Sequence, residues 1–275
     1  MDMSLIIAIV TMGGLGLILS GALAVADKKL RVEENPKIEK INEVLPNANC
    51  GACGNAGCYD FAVKVVEGKV AANGCPVGGK DVLDEISGIL GIDGGDTVRK
   101  VARVLCRGGI KEAAVKAVEY GGPQNCVVQA IVSGGEKLCN YGCLGGGDCV
   151  IACQFDAMYM NEDGLPVVID ELCTGCGLCV KACPRGIIEM HPEDRKLFVF
   201  CKNLDDPKTS KKVCTVSCIA CQICARKSDG GVVMENNLAV INYDKLDISK
   251  IPLDKCSTKA IDLIGVENSV SIEKD

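Results

Sequence analysis

Residues 5–26 form an unbroken run of 22 apolar and small residues with no charge among them. As a helix rising ~1.5 Å per residue, the run reaches ~33 Å, enough to cross a bilayer core. Gly16, Ser20 and Ala24 fall at i, i+4, i+8 on one face, and small residues let another helix approach closely, so the seam predicts a membrane partner. Met1-Asp2-Met3-Ser4 carries no cation, whereas Lys28, Lys29 and Arg31 follow the run at once. The positive-inside rule then puts the amino terminus outside and all that follows in the cytoplasm, a single pass of the inner membrane. Ala22-Leu23-Ala24 resembles a signal-peptide cleavage site, but the leading cation of a signal peptide is missing. Beyond a charged linker, residues 31–40, the pattern shortens. Residues 59–68 read as a short helix, and 111–120 as an amphipathic helix with Ala113, Ala114, Ala117 and Val118 on its packing side. Residues 165–170 and 238–242 read as extended stretches.

Composition changes this picture in one direction. The 275 residues include 20 cysteines but one histidine, no tryptophan and only nine Tyr plus Phe. So few aromatics fill no large core, which favours several small tethered modules organised by sulfur. A lone His191 excludes histidine-rich metal cages and proton relays, and it sits before Pro192 in a polar stretch that reads as surface. The net charge of −6 offers no basic field for nucleic acid. Thiols in a reducing cytoplasm point to metal rather than to disulfides.

The first cysteine module is Cys50, Cys53, Cys58 and Cys75, spaced C-x2-C-x4-C-x16-C. Glycines between the first three let the backbone wrap a compact inorganic core and aim amides at its sulfides. Four thiolates can hold zinc or an iron–sulfur cluster. Zinc ribbons offer two separated C-x2-C pairs, so three ligands in nine residues followed by a distant Cys-Pro favour a 4Fe–4S cluster. The glycines and lysine of 74–81 imitate a phosphate loop, but Asp81 stands where Ser or Thr should bind magnesium.

The second half repeats itself. Cys126-x12-Cys139-x3-Cys143 recurs as Cys201-x12-Cys214-x3-Cys218, 75 residues on. Cys143, Gly146, Cys149 and Cys153 then match Cys218, Cys221, Cys224 and Ser228. In the first copy, Cys173, Cys176, Cys179 and Cys183-Pro184 form the C-x2-C-x2-C-x3-C-P run of bacterial ferredoxins, whose fourth cysteine serves the other cluster. One predicted cluster therefore takes Cys153, Cys173, Cys176 and Cys179. The other takes Cys143, Cys149 and Cys183, with Cys139 as the expected substitute for the ligand missing at Gly146. In the second copy, Leu246, Ser249, Pro252 and Ser228 replace the full ligand set of one crossed cluster, while Cys218, Cys221, Cys224 and Cys256 remain. Random loss would seldom leave one set complete, so a single cluster is expected there. Four thiols are left over: Cys106, Cys126, Cys201 and Cys214. They would make a fifth cluster bridging the repeats, or stay as buried free thiols.

The apolar span, the Asn49-Cys50-Gly51-Ala52-Cys53 module with Cys58 and Cys75, the Tyr141-Gly142-Cys143-Leu144-Gly145 run and the tandem repeats together resemble the B subunit of the Rnf complex, in its longer anaerobic form. The departures are Gly146, Gln154 in place of the usual proline after Cys153, and the missing second cluster of the last repeat. The resemblance implies an electron-entry subunit of an ion-translocating ferredoxin:NAD oxidoreductase. Soluble ferredoxin would reduce it, and other membrane and flavin subunits would receive the electrons. The chain itself shows no dinucleotide fingerprint and no substrate-transforming site. Lys208, Lys211 and Lys212 form a basic run suited to docking an acidic ferredoxin. The rival readings are an electron-transfer subunit of a hydrogenase or formate dehydrogenase, and a structural zinc protein. The expected fold is α+β with four 4Fe–4S clusters, or five with the leftover thiols. Its parts are a transmembrane anchor (1–28), a mainly helical 4Fe–4S module (29–80), a helical connection (81–130), a ferredoxin-like repeat with two clusters (131–199) and a degenerate one with one cluster (200–275).

Overall fold

The uncharged run becomes helix α1, Met3–Leu30, in a computed structural model that describes residues 3–30, 35–132 and 134–264. Its apolar window, Ile9–Lys29, has mean hydropathy 2.0, is not buried against any other part of the chain, and is long enough to cross a membrane. Gly16, Ser20 and Ala24 are all exposed on it. Of the charged linker, residues 31–34 lie outside the described residues. The remainder opens α2, Pro36–Val44, where Asn35 caps the helix by accepting from the Lys37 amide at 3.0 Å and proline takes the first helical position.

Two further helices close the N-terminal module: α3, Cys58–Val66, and α4, Gly79–Leu90, which ends on Gly91 in the left-handed conformation (φ +74°). Ile41, Leu45, Phe61, Ala62, Val65, Leu83 and Ile86 form its core. Phe61 is the one aromatic in that core.

The following elements are short. They are β1, Lys100–Val104; α5, Cys126–Val132; α6, Asp148–Ile151; β2, Met158–Met160; β3, Pro166–Val168; α7, Leu178–Ala182; and β4, Ile188–Pro192. The outer strands β1 and β4 pair antiparallel, with Val101 opposite His191 and Val104 opposite Ile188. They bracket the hairpin β2–β3. The same nesting returns with β5, Leu197–Val199; α8, Pro207–Val213; α9, Ile223–Lys227; β6, Val232–Glu235; β7, Leu238–Ile241; and β8, Ile261–Leu263. Here β5 pairs with β8 around the β6–β7 hairpin, whose turn residues Asn236 and Asn237 both take positive φ, as a tight two-residue turn demands.

Two expectations fail here. Residue 100 begins a strand of the first repeat, so the segment 81–130 is not a helical connection throughout. Residues 111–120 form a turn and an isolated bridge, Lys116 to Lys137, rather than a helix. The Ala117 amide donates to the Glu136 carbonyl and the Leu138 amide to the Val115 carbonyl, so pairing with a distant stretch of the same chain satisfies the Ala117 amide and the Val115 carbonyl, which a ten-residue helix would have satisfied internally.

Aromatic side chains gather where the repeats meet. Phe198 and Phe200 pack with Leu105. The Arg107 guanidinium lies 3.8 Å above the Phe200 ring and pairs with Asp262 at 2.7 Å. His191, expected at the surface, is 9% exposed: it stacks edge-on against Phe198 at 4.9 Å, and its Nε2 lies 3.1 Å from Glu189 Oε2. Strand β4 carries it into the junction, a placement that the polar residues around it conceal.

Candidate metal centres

The cysteines converge in rings of four. Cys50, Cys53, Cys58 and Cys75 surround a hollow of ≈ 340 Å³, open mouth included, floored by Leu45, Phe61 and Val77. Positive φ at Asn49, Gly51 and Gly54 turns the loop tightly enough to present the first three thiols inward. The Asn49 side chain accepts from the Cys58 amide at 2.9 Å, which fixes the loop to the start of α3. A β-carbon at Gly57 would stand 2.7 Å from that same Asn49 oxygen, so any side chain there would displace the Asn49 contact.

A second ring contains Cys126, Cys143, Cys149 and Cys183 around ≈ 350 Å³. Cys139 was the expected fourth member; Cys126 holds the place instead. A β-carbon added at Gly146 would lie 2.6 Å from the Cys126 nitrogen and 3.0 Å from its sulfur. The bare backbone at Gly146 thus admits Cys126 to the position a cysteine side chain would otherwise reach. The Asp148 carboxylate accepts from the amides of Cys126 (3.0 Å) and Val127 (3.3 Å), and so pins α5 in place.

Cys153, Cys173, Cys176 and Cys179 form the third group. Burial and the neighbouring thiols Cys173, Cys176 and Cys153 push Cys179 up to about 12. The Ala102 amide of β1 donates to Cys173 Sγ at 3.5 Å, and Gly175, with φ +75°, leaves no room for a side chain beside the Lys100 carbonyl. Helix α6 carries Cys149 and is followed, just past its cap Ala152, by Cys153, while α7 carries Cys179 and is capped by Cys183, so each helix and its C-terminal end serve two rings. Burial raises the pKa of Cys176, and Cys50 of the N-terminal ring lies close enough to add to the rise.

The fourth ring, Cys218, Cys221, Cys224 and Cys256, encloses ≈ 360 Å³. Beside it, the positions that lost cysteines carry no thiol and serve the core or the backbone. Leu246 packs with Ile251 and Leu253 against Val232 and Leu238. Ser228, 1% exposed, turns its hydroxyl onto the backbone of Ala225 and Val232. The remaining thiols, Cys106, Cys139, Cys201 and Cys214, line a hollow of ≈ 370 Å³ between the repeats. This is the leftover set with Cys139 in place of Cys126.

Among the described residues, no three His, Cys, Asp or Glu side chains converge as a single metal ion would require. The thiols stand back around hollows instead, which suits a polynuclear core. Backbone amides supply donors to sulfur, from Gly145 to Cys143, Val150 to Cys149, Leu178 to Cys176 and Ala225 to Cys224. Burial pushes the thiols of Cys143 and Cys149 up to about 12 and that of Cys224 to about 11. Such groups ionise only against a bound cation, and those amides then stabilise the thiolates.

The exchange of Cys126 for Cys139 had a signal in the sequence. Val104-Leu105-Cys106 matches Val199-Phe200-Cys201 at the end of an outer strand, which makes Cys106 the counterpart of Cys201 and leaves Cys126 in an insertion.

Comparison with known proteins agrees with this architecture. Residues 45–77 match a family described as "Putative Fe-S cluster", and residues 137–190 match a 4Fe-4S dicluster domain. The chain is 41% identical, over 94% of its length and 78% of the relative's, to the B subunit of the Na(+)-translocating ferredoxin:NAD(+) oxidoreductase complex of Acetobacterium woodii. It is 38% identical to the B subunit of the ion-translocating oxidoreductase complex of Methanosarcina acetivorans, over 96% of this chain and all of that one. It is also 38% identical to the B subunit of the proton-translocating ferredoxin:NAD(+) oxidoreductase complex of Clostridium ljungdahlii, over 95% and 93%. Thiol rings, apolar helix and full-length likeness coincide: the chain belongs to the family of B subunits of ion-translocating ferredoxin:NAD oxidoreductase (Rnf) complexes.

Proposed function

We propose that this chain is the membrane-anchored electron-entry subunit of such a complex, taking electrons from reduced soluble ferredoxin and passing them one at a time to membrane and flavin partners. The observation that carries the reading is the succession of four-thiol rings along a single chain behind one apolar helix. Four of them hold 4Fe–4S clusters: the N-terminal ring, the two of the first repeat with Cys126 completing one, and the ring of the second repeat. Bound there, a cluster supplies reversible one-electron storage at a potential set by hydrogen bonds and exposure. The protein provides thiolates, amide donors and a scaffold of two ferredoxin-like repeats, residues 100–192 and 197–263.

The helix anchors the chain in the inner membrane with its amino terminus outside, which leaves the rings in the cytoplasm where ferredoxin is found. The exposed cations Lys208, Lys211 and Lys212 lie on α8, whose C-terminal neighbour is Cys214, so an acidic ferredoxin drawn to this helix approaches a thiol ring directly. The decisive experiment is anaerobic purification from native membranes with analysis of iron, sulfide, flavin and bound subunits. Iron and sulfide in equal amounts, co-purifying flavin subunits and ferredoxin-dependent reduction of NAD are expected. Zinc in place of iron, or catalytic subunits of a hydrogenase or formate dehydrogenase in place of flavin subunits, would overturn the reading.

A further inference from the structure

We propose that Cys106, Cys139, Cys201 and Cys214 hold a fifth 4Fe–4S cluster, at the junction of the two repeats; this rests on the iron–sulfur reading above. The four thiols line one hollow of ≈ 370 Å³, close to the ≈ 340, ≈ 350 and ≈ 360 Å³ of the N-terminal ring, the Cys126 ring and the ring of the second repeat. Neither repeat can make the site alone, because each gives two ligands from equivalent places. Cys106 and Cys201 follow the outer strands directly, one residue past Leu105 and Phe200, whose amides donate to the carbonyls of Ile187 and Ala260. Those carbonyls belong to residues four past Cys183 and Cys256. Cys139 and Cys214 each stand four residues before a ring thiol of their own repeat, Cys143 and Cys218.

The surroundings are built for sulfur as acceptor. Asn203, 1% exposed, donates its backbone amide to Cys201 Sγ at 3.4 Å and its side-chain amide to Cys139 Sγ at 3.8 Å. A buried amide spent on two thiols is well used only if those sulfurs carry charge. The Cys143 amide donates to Cys106 Sγ at 3.4 Å, and the Cys218 amide donates to Cys201 in the equivalent way. Cys143 and Cys218 belong to the adjacent rings of the first and second repeats. The junction site is therefore hydrogen-bonded to both neighbours. Gly108 and Gly142 keep the hollow open: a β-carbon would meet Cys214 Sγ at 3.1 Å or Cys139 Sγ at 3.4 Å.

The test is metal analysis of the full-length protein, purified anaerobically in detergent. Five clusters give about 20 iron and about 20 sulfide per chain, against about 16 for four. Cys106→Ala and Cys139→Ala should each lower the wild-type count by about four and remove one component from the spectrum of the reduced protein by paramagnetic resonance. Cys53→Ala serves as the control for the N-terminal ring. A wild-type count near 16, a zinc ion in addition to about 16 iron, or full iron in Cys106→Ala overturns the junction cluster. If Cys53→Ala still loses about four iron, only this inference fails; if no variant loses iron, the broader reading fails with it. The wild-type count decides even where a variant does not fold.

Discussion

Gly146 and Cys126 occupy one ligand position between them: the glycine's missing β-carbon would stand 2.6 Å from the Cys126 nitrogen. Gly146→Ala should therefore push Cys126 out of its ring, remove about four iron per chain, and destabilise the fold by about 1–3 kcal/mol through overpacking. Iron analysis and urea unfolding check both effects. A variant with full iron would show that Cys126 is not the fourth ligand.

Crossed pairing within the first repeat makes a prediction about additivity. Cys153→Ala combined with Cys176→Ala should lose no more iron than either alone, since both serve one ring. Cys153→Ala combined with Cys149→Ala should lose about twice as much, since they serve two. Equal losses in the two double variants would refute the crossing.

Reversing Lys208, Lys211 and Lys212 to Glu should slow ferredoxin oxidation at low ionic strength and flatten its dependence on salt, because exposed charges steer encounter within a Debye length of ~10 Å at 0.1 M. Stopped-flow rates across a salt series measure it. An unchanged salt slope would place docking elsewhere.

Arg103 is 4% exposed and pairs with Asp170 at 2.5 Å, with the Phe198 ring 5.9 Å away. Asp170→Ala leaves a buried guanidinium without its counter-charge and should cost about 3–5 kcal/mol, while Arg103→Met should cost less, since Asp170 is already 29% exposed to water in the pair. Denaturant midpoints of the two holoproteins decide the order.

Removing iron should unfold the repeats. The first repeat's core is Ala102, Met158, Ile187 and Ile188 interleaved with Cys143, Cys149 and Cys179, so the thiols' ligand is part of the core itself. Chelation after oxidation should abolish protease resistance from β1 onward, as followed by mass spectrometry of the fragments. An apoprotein with the holoprotein's cleavage pattern would refute this.

Much of the molecule was legible before any fold was known. An uncharged run of 22 residues can only be satisfied as a helix in an apolar setting, and closely spaced cysteines with glycines between them declare a ligand loop, because local chain geometry suffices to bring them together. Coordinated replacement of Cys153, Cys173, Cys176 and Cys179 by Ser228, Leu246, Ser249 and Pro252 singled out thiols from distant loops that the fold sets beside one another. Tertiary structure alone decided which of Cys126 and Cys139 meets Cys143, which pair the junction takes, and that polar-looking β4 carries His191 inward. Those outcomes depend on strand β1 reaching across to β4 and on an insertion that shifts Cys126 out of the repeat's register. Spacing along the chain does not record the first, and only the match of Val104-Leu105-Cys106 to Val199-Phe200-Cys201 points to the second, because side chains separated by long loops are placed by packing and not by count.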